Sequence, residues 1–165
     1  MGRMLALLVF ILLLIFAFIF EDSTLASLPP IVAVHFDAAG NAGGFATRSQ
    51  YQVFMLLFSV ALPVALVAIM SFAYSRTTDL KLPNRDYWLA PERLERTRGF
   101  LITHSIWLGS LMTALTCFMH RLILDANAQH PPRLSNQLFM EGLGAFLVCL
   151  GVWIGTLMFA FRRKD

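Results

Sequence analysis

Four uninterrupted apolar runs constrain this chain more than any other feature. Residues 4–20 are 17 consecutive residues without a charge, and further long apolar runs follow at 51–74, 100–118 and 138–161. A hydrocarbon core of about 30 Å takes roughly 17–25 helical residues to cross. Within it every backbone polar group must be satisfied inside the protein, which favours helices. Each run therefore reads as a transmembrane helix. Charged residues are 14% of the chain and hydrophobic residues 58%, whereas a soluble domain carries about 25% charge. The net charge of +3 does not point to nucleic acid, because the basic residues flank the apolar runs instead of lining one amphipathic face.

The boundaries carry their own signals. Glu21-Asp22 follows the first run, and Ser23 to Ser27 offers only a weak cleavage site, so the run reads as an uncleaved first helix and not a signal peptide. Thr47-x-x-Gln50 and Ser49-x-x-Gln52 are overlapping capping-box candidates before the second run. Inside that run Pro63 cannot donate to the carbonyl of Ser59, which predicts a modest kink and a hydroxyl or neighbouring helix serving the freed group. Pro91, with Glu92 and Glu95 close behind it, predicts a third helix that starts in water and projects from the membrane by about two turns. Arg162-Arg163-Lys164 closes the fourth run as a headgroup anchor.

Lys and Arg count ten on one side of the runs (residue 3, the 75–99 loop and the C-terminus) against three (Arg48, Arg121, Arg133) on the other. The basic side is expected to be cytoplasmic. The fold class that follows is an all-α, four-helix membrane bundle with both termini cytoplasmic. Segments 21–50 and 119–137 then face outward.

Lipid gives no hydrophobic force between helices, so small residues and interhelical hydrogen bonds mark contact faces. Ser105, Gly109, Thr113, Thr116 and His120 form one stripe, and Gly144, Val148, Gly151 and Gly155 another. Joined by a short connection, the third and fourth helices are expected to bring these stripes together. A homo-oligomer through Gly151 and Gly155 is the competing use. His104 and Glu141 are ionisable but lie near the ends of their spans, where binding a helix or headgroup and favouring a helix N-terminus explain them. Cys117 and Cys149 differ in depth by roughly 15 Å at about 1.5 Å per residue, too far for a disulfide.

Between the first two helices the chain reads Leu28-Pro29-Pro30-Ile31-Val32-Ala33-Val34-His35-Phe36-Asp37-Ala38-Ala39-Gly40-Asn41-Ala42-Gly43-Gly44-Phe45. The prolines favour extended backbone, residues 31–36 have strand-like content, and the glycines permit a tight turn. This predicts a short ordered loop. The spacing Leu-Pro, His-Phe, Gly, Gly-Phe, with Arg48 after it, resembles a bacterial family of small membrane proteins of unknown function. A domain of that family also forms the N-terminal part of the immunity protein SdpI. Leu82-Pro83-Asn84-Arg85-Asp86-Tyr87-Trp88-Leu89 resembles the cytoplasmic segment of family members of about this length. The resemblance departs where Ala42 to Gly44 lacks the usual acid before the glycine, and the second half has little of the SdpI C-terminal domain. It implies that Leu28, Pro29, His35, Phe36, Gly40, Gly44, Phe45 and Arg48 are the positions that carry over.

His35 and Asp37 would share a strand face, and with His120, His130 and Glu141 near the same surface they are the residue types that hold zinc or copper. No two histidines have the short spacing of a metal motif, and backbone bonding by His35, with Phe36 and Phe45 packing the loop on the helix ends, is the simpler expectation. Tyr87 and Trp88, among Arg85, Arg93 and Arg96, suit a segment at the headgroups or a docking site. The sequence has no phosphate-binding glycine loop, no paired His/Glu motif and no haem-type histidine pair near the midplane. The expectation is a protein without catalysis or cofactor. Its partners would be the bilayer and other membrane proteins or a secreted peptide, met through His35, Phe36, Gly40, Gly44, Phe45 and Arg48 or through Tyr87 and Trp88. An accessory subunit of a larger membrane complex, respiratory or other redox, is the alternative.

Overall fold

One helix organises the rest. In the computed structural model, which describes residues 2–76 and 80–162, α5 runs over Pro91–Asn127 for 37 residues. At about 1.5 Å per residue it reaches about 56 Å, well beyond a hydrocarbon core. It begins with Pro91 in its first turn, where the missing N–H would lack a partner in any case. It also continues through 119–127, which the hydropathy assigned to a loop. Leu122, Ile123 and Ala126 are buried there, and Arg121 pairs with Asp125 at 2.9 Å one turn on.

Around α5 lie α1 (Gly2–Leu25), a helix of three parts, and α6 (Asn136–Ala160). The three parts are α2 (Arg48–Leu56), a π-helical turn at Leu57–Ala61 and α3 (Leu62–Arg76). All four are long and apolar enough to cross a membrane. A short α4 (Arg85–Trp88) precedes α5. The bundle is not purely helical, however. β1 (Ile31–Phe36) and β2 (Ala42–Thr47) form an antiparallel hairpin between the first two spans.

Of the two capping candidates before the second span, the chain builds the first: Thr47 accepts from the Gln50 amide and the Gln50 side chain accepts from the Thr47 amide. The π turn lies just before Pro63, and the carbonyl of Ser59 that proline leaves free accepts the Thr113 hydroxyl of α5 at 3.1 Å. A helix irregularity is thus repaired by its neighbour.

The expected meeting of the two small-residue stripes does not occur. Gly109 faces α1 and α3, since a Cβ there would meet Val67 at 2.6 Å and the Phe10 ring at 3.1 Å. Ser105 bonds back to Leu101 and Ile102 within α5, Thr113 reaches Ser59, and His120 reaches Thr24 and Tyr51. On α6 a Cβ at Gly144, Gly151 or Gly155 would meet nothing within 4 Å, and Val148 is 67% exposed. The helix docks on α5 with a different face. Trp153 Nε1 donates to the His104 carbonyl at 2.9 Å, His104 Nε2 donates to the Trp153 carbonyl at 2.9 Å, and their rings stack at 4.5 Å. Gly142 lies against the Phe118 ring. Two bulky aromatic contacts displaced the glycines because each reciprocal Trp–His hydrogen bond satisfies a polar group that hydrocarbon would leave bare. Cys117 is buried, Cys149 is exposed, and both are free.

Candidate functional site

The hairpin sits on one end of the bundle and is held from three directions. Its turn is built by Asp37, whose Oδ1 accepts the Ala39 and Asn41 amides at 2.9 and 2.8 Å while Oδ2 accepts the Asn41 side chain at 3.1 Å. These bonds, the Asn41 amide foremost, hold the Asp37 carboxyl below its ordinary value. Asp37 therefore lies past the strand with its carboxylate engaged, and does not share a strand face with His35 as the alternation predicted. Among the described residues no three His, Cys, Asp or Glu side chains come together.

Gly40 has φ +83°, and a Cβ would come within 2.5 Å of the Leu134 carbonyl, so this position requires glycine twice over. Its own carbonyl accepts the Leu134 amide at 2.9 Å, Asn41 bridges to Arg133, and Asn136 donates to the Ala38 carbonyl at 2.7 Å. The connection between α5 and α6 is in this way stitched to the hairpin turn. From below, the amide of Asn127 acts as a short strand partner. It accepts the Ala33 N–H at 2.8 Å and donates to the Ala33 carbonyl at 3.0 Å and to Ile123 at 2.9 Å. On the third side the Arg48 guanidinium donates to the Leu28 carbonyl, and its backbone amide donates to Pro30 at 3.0 Å.

Most of the singled-out motif residues thus build the hairpin. Leu28 is buried with Val32, Tyr51, Met55 and Ile123, Phe36 packs against that cluster, and Pro29 is half-buried beside it. Gly44 lets the strand approach His35, whose Cβ would lie 3.0 Å from an added methyl. Two residues depart from expectation. Phe45 does not pack the loop down but is 58% exposed, and His35 is exposed without a hydrogen-bond partner among the described residues. The irregular register around Val34 leaves it outward as well, and Ile31 is also exposed. Ile31, Val34, His35 and Phe45 are exposed side chains on this fixed backbone, with Phe45 paired across from Ala33 and His35 across from Gly44.

Beneath it lies a polar cluster that the linear reading missed. His120, 1% exposed, lies 2.7 Å from the Tyr51 hydroxyl through Nδ1 and 2.8 Å from Thr24 Oγ1 through Nε2. Thr24 donates its own proton to the Phe20 carbonyl at 2.6 Å, so it must accept from Nε2–H. In the neutral ring Nδ1 is then the acceptor for the Tyr51 hydroxyl. The ring is packed edge-on to Phe20 at 5.1 Å and stacked with Tyr51 at 5.7 Å. Next to it Glu21 is 4% exposed, and neither carboxyl oxygen has a hydrogen-bond partner among the described residues. Ser59, a polar neighbour of Glu21, instead donates to the Met55 carbonyl at 2.8 Å. The adjoining cavity measures 20 Å³, about the space of one water, so it admits no organic substrate. An acid within a turn of the end of an apolar run was the one available signal. Its partners come from helices far away in sequence.

At the opposite end Trp88 packs edge-on against Phe161 at 5.4 Å and its carbonyl accepts the Thr97 hydroxyl at 2.9 Å, while Tyr87 is exposed under the Arg93 guanidinium at 4.1 Å. Glu141 remains exposed, accepting from Gln137 at 2.9 Å.

Fold and site together define a multi-pass membrane protein of four spanning helices that carries a docked β-hairpin at one end. No family model, no curated protein and no solved structure matches the chain.

Proposed function

We propose that this chain is a non-catalytic protein of a bacterial inner membrane, both termini cytoplasmic, that recognises a partner through its outward-facing hairpin. The observation that carries the reading is the exposure of Ile31, Val34, His35 and Phe45 on a backbone fixed by Asn127, Arg48 and the 134–136 segment. Pre-organised aromatic and apolar groups lose little entropy on binding, and large apolar side chains exposed on a rigid scaffold suit contact with another protein or peptide. The resemblance to a family of unknown function whose domain also occurs in an immunity protein favours a secreted peptide or an envelope component as the partner, and the excess of Lys and Arg at the other end favours the orientation.

His35→Ala with Phe45→Ala is the test. Neither side chain supports the fold, so the thermal midpoint should hold while partner capture, or protection of cells from the secreted peptide, falls at least tenfold. Unchanged capture and protection in the double variant would exclude the hairpin as the recognition surface.

A second reading, an accessory subunit of a larger complex, is favoured by α6, whose apolar window buries none of its residues against the rest of the chain. Gentle extraction that releases only free monomer would count against it.

A further inference from the structure

The end of the molecule away from the hairpin holds a groove that the recognition reading does not use. It measures 420 Å³ and lies between the start of α5, the end of α6 and the α4 segment. Its walls divide by chemistry. Trp88, Phe100 and Phe159 supply aromatic surface, and Arg93 and Arg96 stand along its rim with Glu92 beside them. The aromatic wall is fixed: Phe161 is buried, Trp88 and Phe100 both meet it edge-on at 5.4 and 5.6 Å, and the Asn84 side chain reaches its carbonyl at 3.5 Å. Phe159, by contrast, is 72% exposed and stands where a lipid chain would run alongside α6.

The cations are unevenly committed. Arg93 is shared between Glu92 at 3.1 Å and the Tyr87 ring at 4.1 Å. Arg96 is exposed, and among the described residues no carboxylate pairs with it. A guanidinium beside an aromatic wall matches a ligand with a phosphodiester at one end and hydrocarbon at the other, because the planar fork donates two parallel hydrogen bonds to phosphate oxygens. Basic pockets between spanning helices at the headgroup level bind anionic lipid heads by that chemistry. A volume of 420 Å³ falls within the range of small-ligand sites.

We infer that this groove binds one anionic glycerophospholipid, its phosphate on Arg96 and Arg93 and its acyl chain along Phe159. The site is independent of the hairpin and of which side of the membrane each end faces.

The full chain in a nonionic detergent, given equal amounts of phosphatidylglycerol and phosphatidylcholine with the same acyl chains, tests it by native mass spectrometry. One phosphatidylglycerol per chain should be retained, at least fivefold over phosphatidylcholine. Arg96→Gln should remove most of that preference without disturbing the fold, since the side chain is exposed, and Arg93→Gln with Arg96→Gln should abolish it. Arg133→Gln at the hairpin end should leave it intact, and millimolar inorganic phosphate should not compete. Equal retention of the two lipids, or an undiminished preference in Arg96→Gln, would overturn the proposal. Displacement by inorganic phosphate would also overturn it, in favour of a simple anion site.

Discussion

Asp37 is a fully exposed carboxylate whose worth lies in the turn it organises. Backbone amides donated to a carboxylate favour its ionised form, so the Asp37 carboxyl is held below its ordinary value in the folded chain. The sign follows directly. With the folded value depressed, the stabilising contribution is complete above the unfolded value, shrinks as pH falls through the folded one, and is absent below it. The protection of the Asn41 amide, its exchange rate relative to the intrinsic rate at the same pH, should therefore fall on acidification below about pH 4, and Asp37→Asn should remove that acid dependence. A turn whose Asn41 protection is indifferent to pH in the wild type would contradict the assignment. Gly40 was legible from sequence, because a positive φ selects glycine wherever it falls. The Glu21–His120 cluster was not: an acid just past an apolar run is the same local signal whether its carboxyl is buried or faces water.

At the scale of elements, the hairpin owes its order to a helix nearly a hundred residues away. Two short strands are at best marginal in water by themselves. Here the amide of Asn127, at the last turn of α5, pairs with both polar groups of Ala33 as a neighbouring strand would. Asn127→Ala removes three hydrogen bonds and leaves the Ala33 N–H buried and unpaired, at about 2–4 kcal/mol, taking roughly 1 kcal/mol for each bond plus the desolvation of the orphaned donor. The outcome to look for is faster exchange at Ala33 and its β2 partners, together with a lower thermal midpoint. Unchanged exchange would mean that the strand is secured by the Leu28 cluster alone. The Ser59–Thr113 bond illustrates the same point in the membrane, where Pro63 was visible in sequence but the hydroxyl that compensates it was not.

At the scale of the molecule, three spans share a core while the fourth leans on α5 through Trp153, His104 and Gly142. This separates the glycines of α6 into two kinds. Gly142→Leu must push against the Phe118 ring and should destabilise by about 1–3 kcal/mol as overpacking. Gly151→Leu with Gly155→Leu enters open space and should leave the thermal midpoint of the monomer unchanged or slightly higher, since leucine is the better helix former. Thermal unfolding in detergent compares them. A loss in the double variant equal to that of Gly142→Leu would mean that the open face is covered in the extracted protein.

Hydropathy, proline and glycine positions and the basic ends were enough to determine four long apolar helices, the start of α5, a pair of capping-box candidates at Thr47 and Ser49, and an ordered segment between the first two spans. These are local properties, additive along a few turns of chain. Tertiary structure alone decided that the small-residue stripe of α5 meets α1 and α3 instead of α6, that Phe45 stays outside, and that Glu21 lies buried beside His120 with no hydrogen-bond partner for its carboxyl among the described residues. Each of those depends on pairing between groups such as Thr24, Tyr51 and His120, from 69 to 96 residues apart. In hydrocarbon all apolar faces are nearly equivalent, so the polar pairs and the shapes of a few aromatic rings choose which faces meet.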